Sequence, residues 1–377
     1  MIPTRAAWAE VSISAIRKNY QFLKGRLAPG TKVMAVIKAD GYGHGMIKTS
    51  AVLTEEGVDY FAVAIIQEGI TLREQGCRLP ILILGHTFDE DFEDLLNYRI
   101  TPMIDTLEQA EKLNEVAGRL HRVSPVHLKI DTGMGRLGFL PNEETVKAVS
   151  RISKLPNLVL EGIFSHLATS EQIKDSVYLH QQLKVFKSFL SQVKTAGVEV
   201  PYIHLGNSAA ILLYPETHFN MVRPGTSIFG VYPGAELRLV KEIHLIPAMS
   251  IKARLARVRR VPEGTKVSYS CLYETKRPSV LGVVPLGCSD GIFRSLANKG
   301  YVLFHGQRCP MIGDVCMDQF VIDLTEIDNP QVGEEVVLVG RQGNASIAAE
   351  DFAGAAGTIA IELLTGLGKR MPVKYIE

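Results

Sequence analysis

The stretch VMAVIKADGYGHG, residues 33–45, begins as a short apolar run and breaks into glycines directly after Lys38. An apolar run of this length that ends at glycines predicts a buried strand. A lysine at the end of such a strand is costly to bury unless its charge is paired or used. Taken alone, a lysine in this position is more often a surface residue with its stem along the protein. The neighbours of Lys38 in the fold therefore decide its role.

Similar apolar runs recur at an even pitch from Val33 to about Tyr232, and stretches with helical periodicity separate them. The predicted strands are VMAVIK, YFAVA, PILIL, RITPMI, VHLKI, LVLEGIF, YIHLG and FNMV. Eight strands with helical crossovers indicate a parallel sheet that closes on itself. The sequence therefore predicts an α/β protein with an N-terminal (β/α)8 TIM-type barrel over residues 13–235.

The pattern changes after Pro233 to Val-rich segments with Gly and Pro turns, such as SVLGVVPLG and GEEVVLVGRQ. Such segments predict a C-terminal, mainly antiparallel β-domain over residues 236–377. The alternation in AWAEVSIS predicts that residues 1–12 form a strand that joins this second domain.

The composition argues against several classes of partner. The 377 residues carry 41 basic and 40 acidic side chains, a net charge of +1, so we expect neither nucleic acid nor a membrane as a partner. Five cysteines without a C-x-x-C pair argue against a disulfide framework and a metal site. No signal segment and no run of about eighteen apolar residues is present, which predicts a cytoplasmic location.

Polar residues end five of the predicted strands. Because catalytic groups lie at the carboxyl ends of barrel strands, we expect these residues on one rim. They are Lys38, Lys129, Asp131, Arg136, His166, Asn207, Ser208, Arg223, Gly225 and Thr226. The loops GNSAA and RPGTS follow strands seven and eight, where many barrels hold a phosphate. A lysine and a phosphate cradle on one rim favour pyridoxal phosphate, bound as a Schiff base to Lys38.

Eight motifs extend over essentially the whole chain. They are AVIKADGYGHG, LKIDTGMGRLGF, FSHLATSE, HLGNSAA, VRPGTSIFG, KVSYS, PLGCSDG and GDVCMDQ. With these motifs in this order, the chain resembles the alanine racemase family of fold-type III pyridoxal-phosphate enzymes. The resemblance implies that the protein is an isomerase that interconverts L- and D-alanine and supplies D-alanine for the peptidoglycan of the cell wall. It also implies a head-to-tail homodimer with shared active sites.

The resemblance assigns the acid–base chemistry to two residues, Lys38 and Tyr269. Racemisation moves a proton between opposite faces of Cα, which two groups accomplish more easily than one rigid side chain. His166 resembles the family residue that hydrogen-bonds the tyrosine. Arg136 resembles the residue that holds the phenolic oxygen side of the cofactor and the substrate carboxylate.

Further contacts follow from the same resemblance. Arg223 corresponds to the arginine that hydrogen-bonds the pyridine nitrogen, and because a guanidinium keeps its proton, that nitrogen stays unprotonated and the ring is a weaker electron sink. The other cofactor contacts implied are Tyr42, Leu84, Asn207, Ser208, Gly225 and Thr226.

Two substrate contacts are implied in the second domain, Met317 through its backbone N–H, and Asp318. In the family, Tyr269 and Met317 reach the site from the partner subunit. Lys129 occupies a position that is carbamylated in some members, where the negative carbamate steadies the arginine. An ordinary lysine paired with an acid is the alternative interpretation of Lys129.

The chain departs from the family pattern at three positions. Cys288 in PLGCSDG and Ile361 in GTIAIELL stand where tyrosines usually narrow the substrate entrance. Ser270 follows Tyr269 where glycine is usual. The loss of bulk leaves a serine racemase, or a racemase of several small amino acids, as an alternative to alanine. Drift with compensating packing is the other interpretation of these changes.

Two more functions stay open at this point. A fold-type III amino-acid decarboxylase uses a cysteine and acidic residues of its second domain, which Cys316 and Asp318 imitate, but the KVSYS tyrosine and the GMGRLG arginine favour a racemase. A non-catalytic pyridoxal-phosphate carrier resembles the barrel alone and lacks a β-domain.

Overall fold

The computed structural model describes residues 5–173, 176–368 and 370–377. Strand β1 (Ala7–Ser12) comes first and is followed directly by helix α1 (Ile13–Lys24). The Ser12 hydroxyl accepts a hydrogen bond from the Ala15 N–H at 3.2 Å and caps the helix.

Eight parallel strands form a barrel. They are β2 (Lys32–Val36), β3 (Tyr60–Val63), β4 (Ile81–Ile83), β5 (Met103–Ile104), β6 (Ser124–Lys129), β7 (Leu158–Phe164), β8 (Tyr202–Asn207) and β9 (Met221–Arg223). Their order is β4-β3-β2-β9-β8-β7-β6-β5. The two end strands meet through Thr101, whose N–H donates to the Ile81 carbonyl at 2.8 Å and whose carbonyl accepts from Ile83 at 2.9 Å. The sheet therefore closes.

Helical segments connect the barrel strands. They are α2 (Lys38–Tyr42), α3 (Met46–Glu55), α4 (Ile66–Glu74), α5 (Phe92–Asn97), α6 (Leu107–Arg119), α7 (Glu143–Ile152), α8 (Val177–Thr195) and α9 (Ser208–Leu213). Side-chain caps begin several of them, and Thr106, Asn142 and Asn207 accept from the N–H three residues on. Each such cap stabilises a helix by about 1 kcal/mol.

The second half of the chain is mainly antiparallel. Its strands are β10 (Met249–Arg254), β11 (Arg257–Val261), β12 (Lys266–Val267), β13 (Tyr273–Glu274), β14 (Ser279–Val284), β15 (Tyr301–Phe304), β16 (Gln307–Ile312), β17 (Phe320–Asp323), β18 (Glu335–Gln342), β19 (Ala345–Ile347) and β20 (Val373–Ile376). Ten strands form one sheet in the order β11-β14-β17-β16-β15-β18-β10-β1-β20, with β19 on β18, while β12 and β13 form a separate ribbon. Strand β1 lies between β10 and β20, and its pairing with β20 is parallel. The predicted α/β fold, a barrel followed by a mainly antiparallel β-domain, is confirmed.

Two helices, α10 (Ala349–Ala355) and α11 (Ala360–Thr365), follow the large sheet. Helix α11 lies against the turn after β2, where glycines leave no room for side chains. A methyl group at Gly43 would overlap the Leu364 carbonyl, and one at Gly45 would overlap the Tyr375 hydroxyl. Both glycines have a positive φ, 80° and 88°, which an L side chain rarely adopts. This close packing brings the C-terminal segment to the rim of the barrel.

Within the described parts of the chain, no helix has the length and apolar character needed to cross a membrane.

Candidate active site

A cavity of about 730 Å³ lies at the carboxyl ends of the barrel strands. Its volume is in the range of small-molecule sites. Twelve of the residues predicted for the site line it, namely Lys38, Tyr42, Leu84, Lys129, Arg136, His166, Asn207, Ser208, Arg223, Gly225, Thr226 and Ile361. Tyr269, Cys288, Met317 and Asp318 do not line it.

Lys38 begins a turn that is wound in the left-handed sense. Ala39, Asp40 and Gly41 have φ values of 51°, 51° and 62°. Left-handed backbone costs roughly 1 to 2 kcal/mol for each residue with a side chain. Two carboxylates hold the turn, since Asp40 accepts from the Met46 N–H at 2.7 Å and Glu68 accepts from the Ala39 N–H at 2.6 Å. The turn fixes the backbone from which Lys38 reaches the cavity.

The Lys38 ammonium has no hydrogen-bond or ion-pair partner among the residues that the structure describes. Burial lowers its pKa, the positive charge of Arg136 lowers it further, and Glu68 opposes this shift. A lysine with a lowered pKa is neutral more often, and the neutral amine is the nucleophile that attacks a carbonyl. Lys38 is therefore suited to covalent chemistry.

Lys129 is a second lysine with weakened charge. Its Nζ lies 5.7 Å from the centre of the Phe164 ring, with no carboxylate in ion-pair distance in the described ranges. Burial lowers the pKa of Lys129 to about 8, helped by the charges of Arg136 and Arg223. A fraction of the amine is therefore uncharged near neutral pH.

Arg223 lies buried at the end of β9 and donates to several groups. Its Nη1 donates to His204 Nδ1 at 2.9 Å, and its Nη2 donates to the Ser165 carbonyl at 2.7 Å and to His166 Nδ1 at 3.2 Å. Burial lowers the pKa of Arg223 to about 9, so the group is still charged at neutral pH. No described residue accepts from its Nε, so this N–H is available to a ligand.

His166 is a neutral ring among positive charges. Burial, and then the charges of Arg223, Arg136, Lys129 and Lys38, hold its pKa well below the usual range. An arginine only donates, so the Nδ1 of His166 accepts and its proton lies on Nε2. His166 therefore presents a donor on the side away from Arg223.

The loops after β8 and β9 form a small polar pocket. The Ser208 hydroxyl accepts from the Gly225 N–H at 2.8 Å. A methyl group at Gly225 would lie 2.7 Å from the Tyr42 hydroxyl, so glycine is needed for these groups to approach. No described group accepts from the Thr226 N–H. Hydroxyls and free N–H groups of this kind suit a phosphate.

The Arg136 loop is held by Asp131. One carboxylate oxygen accepts from the backbone N–H groups of Gly133, Met134 and Gly135 at 2.9, 2.8 and 3.1 Å. The other accepts from the backbone N–H of Arg136 at 3.1 Å. Burial raises the pKa of Asp131, but the four backbone hydrogen bonds outweigh it and the pKa is lowered overall. Sequence reasoning placed Asp131 on the rim without a role, although an aspartate before a glycine-rich loop is a signal for such a cap.

Four predicted residues form a separate patch on the β-domain, Tyr269, Cys288, Met317 and Asp318, which we call the β-domain patch. Tyr269 is 67% exposed and Met317 is 66% exposed. The loops that carry them are joined, since Ser268 donates to the Asp314 carbonyl at 2.7 Å and the Cys288 N–H donates to the Cys316 carbonyl at 3.0 Å.

The Tyr269 turn tolerates the loss of glycine. Ser270 adopts a φ of 57° where the sequence departs from the family pattern, and Ser268 has a φ of 64°. Serine is less suited than glycine to left-handed backbone, so a serine at position 270 raises the energetic cost of this turn. The Met317 N–H nearby has no acceptor among the described residues.

The cavity residues fit pyridoxal phosphate. A phosphate matches the loops of Ser208 and Gly225, a ring nitrogen matches the free Nε–H of Arg223, and an aldehyde matches the unpaired amine of Lys38. The four positive groups on this rim also complement the charge of a phosphate and a carboxylate.

Comparisons with known proteins agree with this geometry. The family model "Alanine racemase, N-terminal domain" matches residues 11–233, and "Alanine racemase, C-terminal domain" matches residues 248–375. An alanine racemase of Methanococcus maripaludis is 42% identical over 370 residues, which cover 98% of this chain and 98% of that protein.

Solved structures are similar over the same length. An alanine racemase of Clostridium difficile matches with a TM-score of 0.95 and 38% identity, covering 100% of this chain and 97% of that chain. An alanine racemase of Bartonella henselae with covalently bound pyridoxal phosphate matches with a TM-score of 0.87 and 30% identity, covering 98% of this chain and 99% of that one.

Proposed function

The chain is a member of the alanine racemase family, and from this premise we propose that it interconverts L- and D-alanine with Lys38 and Tyr269 as its two acid–base groups. The observation that carries the proposal is the barrel cavity, which joins the unpaired amine of Lys38 to a phosphate pocket and to Arg223. Pyridoxal phosphate, when bound, supplies the electron-withdrawing ring that makes the Cα proton of an amino acid removable. That the relatives reported above are alanine racemases favours alanine over serine.

The residues of this chain have distinct tasks in the proposal. Lys38 binds the cofactor and moves a proton on one face of Cα, and Tyr269 moves it on the other. Arg136 and the N–H of Met317 hold the substrate carboxylate, and the neighbouring Asp318 is a further contact of the substrate. His166, with its proton on Nε2, donates a hydrogen bond to the oxygen of Tyr269 and so favours its ionised form.

Further side chains hold the cofactor. Arg223 donates to its ring nitrogen, and Leu84 contacts the ring from the barrel wall. The phosphate contacts are Tyr42, Asn207, Ser208, Gly225 and Thr226. All of these residues lie on the rim of one cavity, which supports their assignment.

We also propose a head-to-tail homodimer in which Tyr269 and Met317 complete the partner's site. Neither side chain lines the cavity of its own chain, and both are exposed, as is Leu272, three residues after Tyr269. Exposed apolar residues in one region are typical of a protein interface. In this arrangement, Tyr269 acts as a catalytic residue in the barrel cavity of the partner subunit.

Hybrid dimers test this arrangement. We expect Lys38→Ala to be inactive and Tyr269→Phe to be strongly impaired as homodimers. When two differently tagged variants are purified as a heterodimer, one site combines an intact barrel with an intact Tyr269, and about half of the wild-type turnover returns.

The matched control is a heterodimer of wild-type chain with the double variant Lys38→Ala, Tyr269→Phe. Sites shared between subunits leave neither of its sites intact, so it is nearly inactive. If Tyr269 instead acts within its own chain, this control keeps half of the activity and the first hybrid has none. The two results exclude each other.

We propose that Lys129 is carbamylated. Its pKa of about 8 gives a neutral amine that reacts with carbon dioxide and loses a proton, and the carbamate provides a carboxylate-like partner that the Arg136 guanidinium does not find among the described residues. Carbon-13 NMR with labelled bicarbonate checks this, and the absence of a carbamate signal that Lys129→Ala removes would contradict it.

Three broader expectations remain proposals. We assign residues 13–235 to the barrel and residues 236–377, with the N-terminal segment 1–12, to the β-domain. The two separate sheets and the position of β1 in the larger one support this division, and residues 1–4 lie outside the described residues. We also assign the protein to the cytoplasm and its D-alanine to the cell wall. Fractionation and D-alanine auxotrophy of a strain without the protein test the last two.

A further inference from the structure

A chain of hydrogen bonds runs inside the barrel, away from the cavity. Arg223 Nη1 donates to His204 Nδ1 at 2.9 Å, and His204 Nε2 lies 2.8 Å from His127 Nδ1. His127 Nε2 lies 3.1 Å from Glu161 Oε2, which also accepts from the Tyr60 hydroxyl at 2.6 Å. We call Arg223, His204, His127 and Glu161 the relay. It crosses the barrel from the carboxyl end of β9 towards the first residue of β3.

The relay has one possible direction. An arginine only donates and a carboxylate only accepts, so both ends are fixed. His204 Nδ1 must accept from Arg223, which puts its proton on Nε2 and makes His127 Nδ1 an acceptor. The proton of His127 is then also on Nε2 and points to Glu161. Both rings are neutral, since burial is the leading cause that lowers the pKa of each.

The local backbone makes room for the relay. The register of β6 and β7 shifts between Val126 and His127, which pair with Leu160 and Gly162, so Glu161 is the extra residue of a bulge. A methyl group at Gly162 would overlap the His127 ring. These two irregularities in otherwise regular strands place the His127 ring between Glu161 and His204.

The relay connects the buried positive charge of Arg223 to the carboxylate of Glu161. Arg223 is buried and contacts only neutral groups, with no carboxylate in hydrogen-bond distance in the described ranges. A buried charge without a counter-charge is unfavourable. Glu161 is the carboxylate at the other end of the relay, and its side chain is 25% exposed in a second opening of about 640 Å³ that Tyr60 and Thr101 also line. Water therefore reaches the Glu161 carboxylate, whereas Arg223 is almost fully buried, with an exposed fraction of 3%.

We propose that Glu161 is a positioning residue that acts through His127 and His204 to orient Arg223, and so to hold its free Nε–H towards the cofactor's ring nitrogen. Carboxylates behind histidine ligands orient metal sites in a comparable way. Because the contact of Arg223 with the cofactor belongs to the proposed function, the role of Glu161 rests on that proposal.

The first test uses the wild-type protein without cofactor. Nitrogen-15 NMR of histidine-labelled protein distinguishes the two neutral tautomers, and the spectra of His127→Gln and His204→Gln assign the signals. We expect both rings to carry their proton on Nε2 at neutral pH. A proton on Nδ1 of either ring, or a charged ring, overturns the relay whatever the variants do.

The second test compares two substitutions of Glu161. In Glu161→Gln, the amide oxygen still accepts from His127 and Tyr60 but the negative charge is lost, so we expect both tautomers to persist and cofactor affinity to fall by less than in Glu161→Leu. In Glu161→Leu, the buried His127 N–H loses its acceptor, and we expect mixed tautomers and about 10-fold weaker binding of pyridoxal phosphate to the apoprotein. Glu216→Gln is the control, because Glu216 pairs with His180 at 3.3 Å on the surface.

The outcomes separate the relay from the proposed function. Unchanged tautomers and unchanged cofactor affinity in folded Glu161→Leu overturn the relay. If Glu161→Leu does not fold, the wild-type tautomers and Glu161→Gln still decide. A wild-type protein that does not racemise alanine contradicts the proposed function, whereas a racemase with the wrong tautomers contradicts only the relay.

Discussion

The barrel cavity and the β-domain patch carry the two halves of the proposed chemistry, and they differ in how the fold holds them. Arg223 is buried, donates to four neighbouring groups and has a free Nε–H for a ligand. Tyr269 stands on a short turn with two thirds of its surface in water. Hydrogen bonds within the chain hold the side chain of Arg223 in place, whereas the Tyr269 side chain makes few contacts with its own chain. A side chain with little role in folding is free to serve a neighbouring subunit.

Charge separates the two regions as well. Lys38, Arg136 and Arg223 place positive charge around the neutral His166 in the barrel cavity before any ligand is bound. In the patch, Asp318 pairs with Arg370 at 2.8 Å. A positive cavity is suited to an anionic cofactor and an amino-acid carboxylate. The patch needs no such field, because its proposed task is to supply a proton and a backbone donor.

The largest expected effect comes from Tyr269→Phe. We expect racemisation of alanine to fall by about 10² to 10⁴, the usual range for the loss of a general acid or base. Because the ring is exposed, the free energy of unfolding should change by less than about 0.5 kcal/mol. Turnover and urea unfolding measure both. Tyr273→Phe, which lies outside the patch, is the control, and a large loss of stability in Tyr269→Phe would show that the patch helps its own chain to fold.

Acid should act on the barrel more than on the β-domain. Burial lowers the pKa of His44 to about 4. Between pH 6.5 and 4 the unfolded chain therefore binds a proton that the folded chain does not, so stability is full above pH 6.5 and falls as the pH decreases. The protonation of His44 in the unfolded chain should lower the free energy of unfolding by about 2 kcal/mol between pH 6.5 and 5.

Urea unfolding at pH 7 and pH 5 measures this loss. In His44→Gln it should be smaller by about 2 kcal/mol. The exposed His305 of the β-domain supplies the control, His305→Gln, which should lose stability like the wild type. Equal losses in all three proteins would contradict the role of His44.

The smallest effect concerns the two positions where tyrosines are usual. Ile361 lines the barrel cavity and Cys288 lies in the patch, so they sample both regions. In the double variant Ile361→Tyr, Cys288→Tyr, we expect the ratio of kcat/KM for alanine to that for serine to rise by about 10-fold, since pocket size discriminates weakly. An unchanged ratio would indicate that these positions have drifted with compensating packing.

Much of the barrel could be predicted from the sequence. Apolar runs that alternate with helical segments predict parallel strands, and polar residues after those runs predict a functional rim. Lys38, His166 and Arg223 lie within two residues of a strand end and line the cavity, because position along the chain fixes position in a barrel. Arg136 reaches the same cavity from the loop after β6. The closing contact through Thr101 could not be predicted, since a single pair of hydrogen bonds has no sequence pattern.

The relay shows where such reasoning stops. His127 and His204 lie in apolar strands and look like core histidines when they are considered one at a time. They are 77 residues apart, yet their rings meet at 2.8 Å. Glu161 looks like one polar residue in a strand, and only the bulge in β7 turns it towards His127.

The sequence by itself determined the barrel, the β-domain, the family and the residue types of the rim, because these depend on periodicity and on motifs that lie within short segments. The tertiary structure alone decided which groups share a cavity, which remain exposed, and which ring nitrogen of a buried histidine carries the proton. Those properties depend on distances of about 3 Å between residues far apart in the chain, and on burial, which sets the pKa of each group. No local pattern encodes either quantity.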